Sequence, residues 1–320
     1  MSIGRLPLFF CDHHELPLPP GHKFPLAKYR MVRNLLHCDD RFQLHEAPLA
    51  TEQDLRRVHT ESYIHGFLAG TLDPGVLRRI GFPWSEGLVK RTLASTGATL
   101  AATQTALEAG FSGTLAGGTH HAFRNEGAGF CVFNDLAVAT EWVRQCRGLT
   151  RIAIVDLDVH QGDGTARIFE DDRGIFTLSL HGARNFPFRK QRSRLDVEFA
   201  DGAGAEQYLP ALDHALIQVW NFEPQLILFQ SGVDALATDR LGRLSLTLED
   251  LAVRDRLVFN GVAQRNIPIA VTMGGGYSDP IELTAQAHAQ TFRLAASIIT
   301  KLNKPHAECL IGHAVNKYQL

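Results

Sequence analysis

The sequence predicts an α/β protein, an open and mostly parallel β-sheet with helices on both faces. Three observations predict it. Short apolar runs alternate with longer helical patterns along the chain. Several of the runs are continuous in Val, Ile and Leu, as strands covered on both faces require. No Ser/Gly/Pro-rich linker, internal repeat or low-complexity stretch divides the 320 residues. One domain is therefore expected over 1–320, with a core of about 6–302 and a short C-terminal tail.

Taken in order, Pro7–Phe10 reads as the first strand and the Pro-rich patch Leu16 to Pro25 as an ordered loop. Leu26–His37 and Glu61–Ala69 carry helical periodicity, and the Ala/Leu/Thr-rich Glu86–Ala109 reads as a long, well-buried helix. The strand Gly113–Ala116 follows, then the helix Asn134–Cys146. Arg151–Asp156, Ile175–Leu180, Gln225–Gln230 and Ile267–Thr272 are the remaining predicted strands. Between and after them lie the helices Glu206–Trp220, Leu248–Arg265 and Pro280–Leu302, the last with proline in its first turn. The β-α-β-α alternation is that of a doubly wound sheet.

Composition excludes several classes. Hydrophobic residues are 45 % and charged residues 21 %, and the formal net charge is −2, with no dense basic block. Bulk attraction to nucleic acid or to an acidic membrane is not expected. The five cysteines are odd in number and scattered, without a Cys-x-x-Cys pair, which suits a reducing compartment and argues against a thiolate metal site. Neither a signal peptide in Met1 to Phe10 nor an apolar run long enough to span a bilayer is found, so the cytoplasm is expected.

In such sheets ligands bind beyond the carboxyl ends of the strands. Five predicted strands end in polar or glycine-rich sequence: Gly117-Gly118-Thr119-His120-His121, Asp156-Leu157-Asp158-Val159-His160 with Gln161–Gly164, Ser179-Leu180-His181, Gln230-Ser231-Gly232-Val233-Asp234 with Asp239 beyond it, and Met273-Gly274-Gly275-Gly276-Tyr277. On an extended chain, the two-residue spacing of Asp156, Asp158 and His160 puts them on one side, with Leu157 and Val159 facing the core. Asp/His ligation without cysteine suits zinc, with Fe(II) or Co(II) as alternatives. A catalytic site needs a third protein ligand, for which Asp234 and Asp239 are the candidates. His120 and His121 titrate near neutrality and suit acid–base work, with Asp156 and Asp163 placed to fix their tautomers. Tyr277, after a glycine turn, supplies a phenol able to stabilise an oxyanion.

These motifs together resemble the histone deacetylase superfamily, which also holds acetylpolyamine amidohydrolases. The matching segments are Gly118–Asp135, Val155–Gly164, Ser179–His181, Gly232–Gly242 and Gly274–Tyr277. Phe82-Pro83-Trp84-Ser85, Gly117–His121 and Thr238–Gly242 are most similar to class IV members. The resemblance implies an arginase/deacetylase-like fold and a zinc-dependent hydrolase that removes acetyl or longer acyl groups from lysine side chains. An acylated small amine is the alternative substrate, and a non-catalytic acyl-lysine reader the alternative class. It also implies Asp158, His160 and Asp239 as zinc ligands, with Asp234 structural. His121 would be the base, His120 its electrostatic partner, and Asp156 and Asp163 their supports, with Tyr277 as oxyanion donor. Gly129, Phe130, Phe186 and Gly275 would line the substrate channel. Asp156, Asp158, His160, Ser179 and Leu180 would surround a structural potassium ion. Cys131 beside the channel reads as a buried small hydrophobe. Phe24, Phe82 and Trp84 read as core, and the remaining histidines, His59 and His288 among them, as structural or solvated.

Overall fold

The computed structural model describes residues 5–302. His306, Cys309 and His313, with the expected tail, lie outside the described residues. The fold matches the predicted class. An eight-stranded sheet runs in the order β2-β1-β3-β8-β7-β4-β5-β6, and its strand pairs are parallel. The strands are β1 (Leu6–Phe10), β2 (Phe42–Glu46), β3 (Phe111–Thr114), β4 (Ile152–Asp156), β5 (Ile175–Gly182), β6 (Leu195–Phe199), β7 (Leu226–Gln230) and β8 (Ile269–Thr272). The helices that matter for the site are α1 (Ala27–His37), α5 (Glu86–Ala109), α6 (Asp135–Arg147), α9 (Leu248–Arg265) and α10 (Ile281–Leu302).

Period two in β4 divides the core. Ala153 and Val155 pack toward α9 and α10, together with Phe229, Val258, Phe259 and Phe292. Ile152 and Ile154 face the other way, against Leu136, Val138 and Val143 of α6. Both faces of the central strands are thereby covered, which is why those strands read as unbroken apolar runs.

Five elements are missing from the sequence reading, and two are shifted. β2 (FQLHE) and β6 (LDVEF) are the two outer strands, and their half-exposed polar residues break the apolar run that marked the others. Three short helices, Glu52–Leu55, Pro74–Ile80 and Asp163–Phe169, are too brief to show a helical period. β3 begins and ends two residues before the predicted Gly113–Ala116, and the last helix starts after Pro280 rather than at it. A third apolar cluster, including Leu16, Tyr63, Phe67, Ile80, Phe82 and Phe133, with Phe24, Trp84 and Phe130 packed on it, forms a layer over the carboxyl ends of the strands. Phe82 is buried in this layer and Phe24 and Trp84 are half-buried on it, and Phe24 and Phe82 also line the cavity described below.

Candidate active site

The carboxyl ends of the four adjacent strands β3, β8, β7 and β4 open into one cavity of about 430 Å³. Each strand delivers a loop whose local sequence explains its shape.

After β3, Gly117 and Gly118 both take left-handed φ angles, 77° and 78°, which glycine alone adopts without strain. The turn is tied down by Asp135, at the start of α6. Its carboxylate accepts from the backbone N–H of Gly118 (2.9 Å) and Thr119 (2.7 Å) and from the Thr119 hydroxyl (2.7 Å). Asn134 caps the same helix by accepting from Ala137 N–H at 3.0 Å. The chain then presents His120 and His121 side by side, ring centroids 4.1 Å apart. His120 Nδ1 lies 2.7 Å from Asp156 Oδ2, and His121 Nδ1 lies 2.7 Å from Asp163 Oδ1. Both histidines and both carboxylates are buried.

The two imidazoles are driven apart electrostatically. Burial works against the charged form of His120, but Asp156 and Asp158 outweigh it and raise its pKa to about 9. Burial and the neighbouring His120 charge depress His121 to about 4, against the pull of Asp163. His120 is therefore the cation of the pair and His121 the free base at neutral pH.

β4 ends at Asp156, and the segment carrying Asp158 and His160 is a bent loop rather than extended strand. The sidedness expected from the two-residue spacing still holds, because Leu157 and Val159 are buried in the core. Asp156 Oδ1 accepts from Asp158 N–H at 3.1 Å, and Asp158 Oδ1 accepts from His160 N–H at 3.0 Å. His160 Nδ1 lies 3.0 Å from both Asp158 Oδ1 and Asp234 Oδ2.

For the third ligand position the loop after β7 offers both candidates, Asp234 and Asp239. Asp158, His160 and Asp234 each offer a ligand atom within 4.8 Å of the other two. Asp239 lies farther along the same loop, with its carboxylate on backbone N–H groups. Its Oδ1 accepts from Leu241 and Gly242 N–H, each at 2.9 Å, and its Oδ2 accepts from Tyr277 N–H at 2.6 Å. Those three bonds make it a brace for the loop and for the Tyr277 backbone. Asp234, read from sequence as structural, is fully buried against His160, and its other oxygen accepts from Val159 N–H at 2.8 Å. Burial and the nearby Asp158 charge raise its carboxyl to about 7, against the pull of His160.

The β8 loop passes close over this cluster. Gly275 N–H donates to Asp158 Oδ2 at 2.7 Å. A Cβ on Gly275 would collide with the carboxylates of Asp234 and Asp158, so this glycine is required by the closeness of the approach. Tyr277 is buried on the cavity wall beside Phe130, ring centroids 6.3 Å apart. Gly129 and Phe130 have left-handed backbone and form the opposite wall. The Phe186 ring stands edge-on to His121 at 4.9 Å. Gly129, Phe130, Phe186 and Gly275 all line the cavity, and so does Cys131. At the mouth, Phe188 is 88 % exposed.

Ser179 and Leu180, expected near a potassium ion, are buried in β5, with Ser179 in register beside Asp156. His181 lies buried in the same strand, its Nδ1 2.9 Å from Ser179 Oγ, and does not line the cavity. His13 and His14 lie against each other, tilted by 40°, and do not line it.

Sequence reasoning missed four residues. Asp135 holds the two-histidine loop; its signal was the Asn-Asp pair opening a helix. Lys28 of α1 is buried, with Nζ donating to Gly274 O at 3.0 Å. Arg91 of α5 is buried and lines the cavity. Arg254 of α9 is fully buried and donates to the carbonyls of Leu157 (3.3 Å) and Gly232 (2.5 Å), beneath both carboxylate loops. All three cations sit on helices whose charges resemble a solvated face.

Known proteins resemble this chain over most of its length. Residues 22–294 match the histone deacetylase domain family. An uncharacterized protein of Picosynechococcus sp. is 42 % identical over 297 residues, covering 91 % of this chain and 99 % of that protein. A histone deacetylase-like amidohydrolase of Pseudomonas aeruginosa is 31 % identical over 283 residues, covering 82 % of this chain and 74 % of that one. In structure, an HDAC homologue from Aquifex aeolicus shares the fold with a TM-score of 0.78 at 24 % identity, over 93 % of this chain and 88 % of that one.

Proposed function

Because the chain belongs to the histone deacetylase domain family, we propose that it is a zinc-dependent hydrolase that removes acyl groups from lysine side chains. One observation carries the reading: Asp158, His160 and two carboxylate-backed histidines line a single cavity, with the buried Asp234 carboxylate 3.0 Å from the His160 ring.

The residues fit a metal. Asp158, His160 and Asp234 are buried oxygen and nitrogen donors, without cysteine, and two carboxylates converge on one imidazole. Three protein ligands leave a position open, the arrangement of a catalytic rather than a structural zinc site. When bound, zinc supplies Lewis acidity, polarising an amide carbonyl and lowering the pKa of water toward about 7.

The chain's own groups do the rest. His121, neutral and backed by Asp163, takes the proton from the attacking water at Nε2. His120, kept cationic by Asp156, offsets the negative charge that develops on the substrate. The Tyr277 hydroxyl donates to the carbonyl oxygen as it becomes an oxyanion. His121 returns its proton to the departing amine. Phe130, Phe186 and Gly129 hold the aliphatic lysine stem and exclude water.

The cavity's charge favours a lysine side chain over a polyamine. Its lining carries Lys28 and Arg91, which have no carboxylate within ion-pair distance among the described residues, against the carboxylate of Asp158, while Arg79 is paired with Glu126 and Arg184 and Arg243 with Asp201. A polycation would meet that lining unfavourably. The test is hydrolysis of an acetyl-lysine peptide by the zinc-loaded protein, with N-acetylputrescine in parallel. Tyr277→Phe should keep its zinc and lose about 10²- to 10³-fold in kcat, and His121→Ala should be inactive. Full turnover by metal-loaded, folded Tyr277→Phe would overturn the assignment of the oxyanion donor. Turnover of the polyamine alone would overturn the lysine reading.

A further inference from the structure

The cavity does not stop at the catalytic histidines. Its lining also holds Leu16, Tyr29, Leu88, Arg91 and Ser95, the first four of them buried. Arg91 is only 7 % exposed, yet its Nη1 is buried with no hydrogen-bond partner. Among the described residues no carboxylate lies within ion-pair distance of it. Its neighbour is Tyr29, whose ring centroid lies 4.6 Å from the guanidinium carbon. Lys28 lines the same chamber and has its ammonium over the Tyr277 ring at 5.4 Å.

A buried guanidinium cannot shed its proton, and burying it without a counter-ion is costly. A lysine stem entering from the mouth places its amide at the histidines, so the acyl chain points inward, toward Arg91. A fatty chain filling that space would leave the guanidinium sealed in hydrocarbon. A carboxylate would pair with it, its two oxygens matching the planar fork.

We propose that the inner chamber is a subsite for acyl groups that end in a carboxylate, with Arg91 as the residue that reads it. The substrate class is then a lysine carrying a short dicarboxylic acyl group of the succinyl or glutaryl kind. This rests on the deacylase reading above. Water adds across the amide: the carbon–nitrogen bond breaks, hydroxyl goes to the acyl carbon and the proton to the lysine nitrogen. The products are the free amine and a dicarboxylate, and no oxidant or co-substrate is needed.

The experiment compares acetyl-lysine and glutaryl-lysine peptides on the zinc-loaded full chain and on Arg91→Met, with calorimetric binding of free glutarate and of free acetate to both. The wild type should hydrolyse the glutaryl peptide, and Arg91→Met should lower the glutaryl-to-acetyl ratio of kcat/KM by about 10- to 100-fold. Glutarate binding should weaken by a similar factor. Arg91→Lys, which keeps the charge but not the fork, should fall between the two and serves if the methionine variant does not fold. An unchanged ratio, or a wild type active on acetyl-lysine but not on glutaryl-lysine, overturns the subsite. So does equal weakening of acetate and glutarate binding, which would make Arg91 a site for the released product. If neither peptide is hydrolysed but glutarate binds in an Arg91-dependent way, the deacylase reading fails and the anion subsite stands. Absence of both removes both.

Discussion

Two aspartates five residues apart on one loop make opposite predictions. In Asp234→Asn a buried carboxylate that faces His160 at 3.0 Å loses its charge, while its contact with Val159 N–H survives through the amide oxygen. Replacing a residue that merely supports a ligand costs about 10- to 100-fold in metal affinity. Loss of a ligand itself should exceed that, on the order of 10³-fold, or about 4 kcal/mol. The metal-free protein should tolerate the change, since burial and Asp158 already disfavour the charge at this position. In Asp239→Asn the balance reverses. The carboxylate accepts three backbone N–H groups. An amide keeps the Leu241 and Gly242 bonds through its oxygen and turns its NH2 toward Tyr277 N–H. One charge-assisted bond is lost and one donor left unsatisfied, together about 3–4 kcal/mol of stability. Metal affinity should fall no more than about 100-fold. The assay is zinc competition against a chromogenic chelator, paired with urea unfolding of the metal-free variants. If Asp239→Asn lost zinc as fully as expected for Asp234→Asn, while Asp234→Asn held it like the wild type, the ligand assignment would be refuted.

Two further predictions concern protons. Asp163 raises the His121 pKa through its hydrogen bond and charge. Asp163→Asn should therefore move the acid limb of kcat/KM to lower pH while reducing the plateau, because the base is weaker; a pH–rate profile checks both. His59, buried beneath Asn134 and accepting its N–H at 2.9 Å, has its pKa lowered to about 4, chiefly by burial. The unfolded chain takes up this proton from about pH 6.5 downward and the native state does not. Its contribution is thus fully present above pH 6.5 and is lost as pH falls toward 4, a difference of about 3 kcal/mol. Urea midpoints between pH 7 and 4.5 should fall less steeply for His59→Gln, and parallel slopes would exclude His59 as the cause.

Much of the site was legible because of where the sheet places it. An apolar run ending in Gly-Gly-Thr-His-His or Asp-Leu-Asp-Val-His announces a buried strand whose last residues leave the core, and parallel strands bring such ends together. The pairing of His120 with Asp156 and of His121 with Asp163 followed from adjacent loops. The choice between Asp234 and Asp239 as third ligand needs more than position in the sequence. Both follow β7, and only the turn of the loop, which sends Asp239 back to Leu241, Gly242 and Tyr277, separates them. The same limit hid Lys28, Arg91 and Arg254. A cation on an amphipathic helix reads as solvent-facing until the packing shows what covers it. The outer strands β2 and β6 were hidden for a related reason, since residues such as Gln43 and Glu198 are polar where one face meets solvent.

Arg254 carries a consequence for how such a protein changes. It grips the carbonyls of Leu157 and Gly232 from the far side of the sheet, pairs with Asp255 at 2.8 Å, and Asp255 in turn accepts from Thr291 of α10 at 2.6 Å. The stiffness of the two carboxylate loops is therefore inherited from helices that touch neither the channel nor its mouth. Residues at the mouth, such as Arg184, Phe188 and Leu241, are free of that duty. Selectivity can drift there, or be exchanged by grafting, while the chemistry underneath stays fixed in place; a substitution at Thr291, remote from any substrate, would disturb the centre more than one at Phe188.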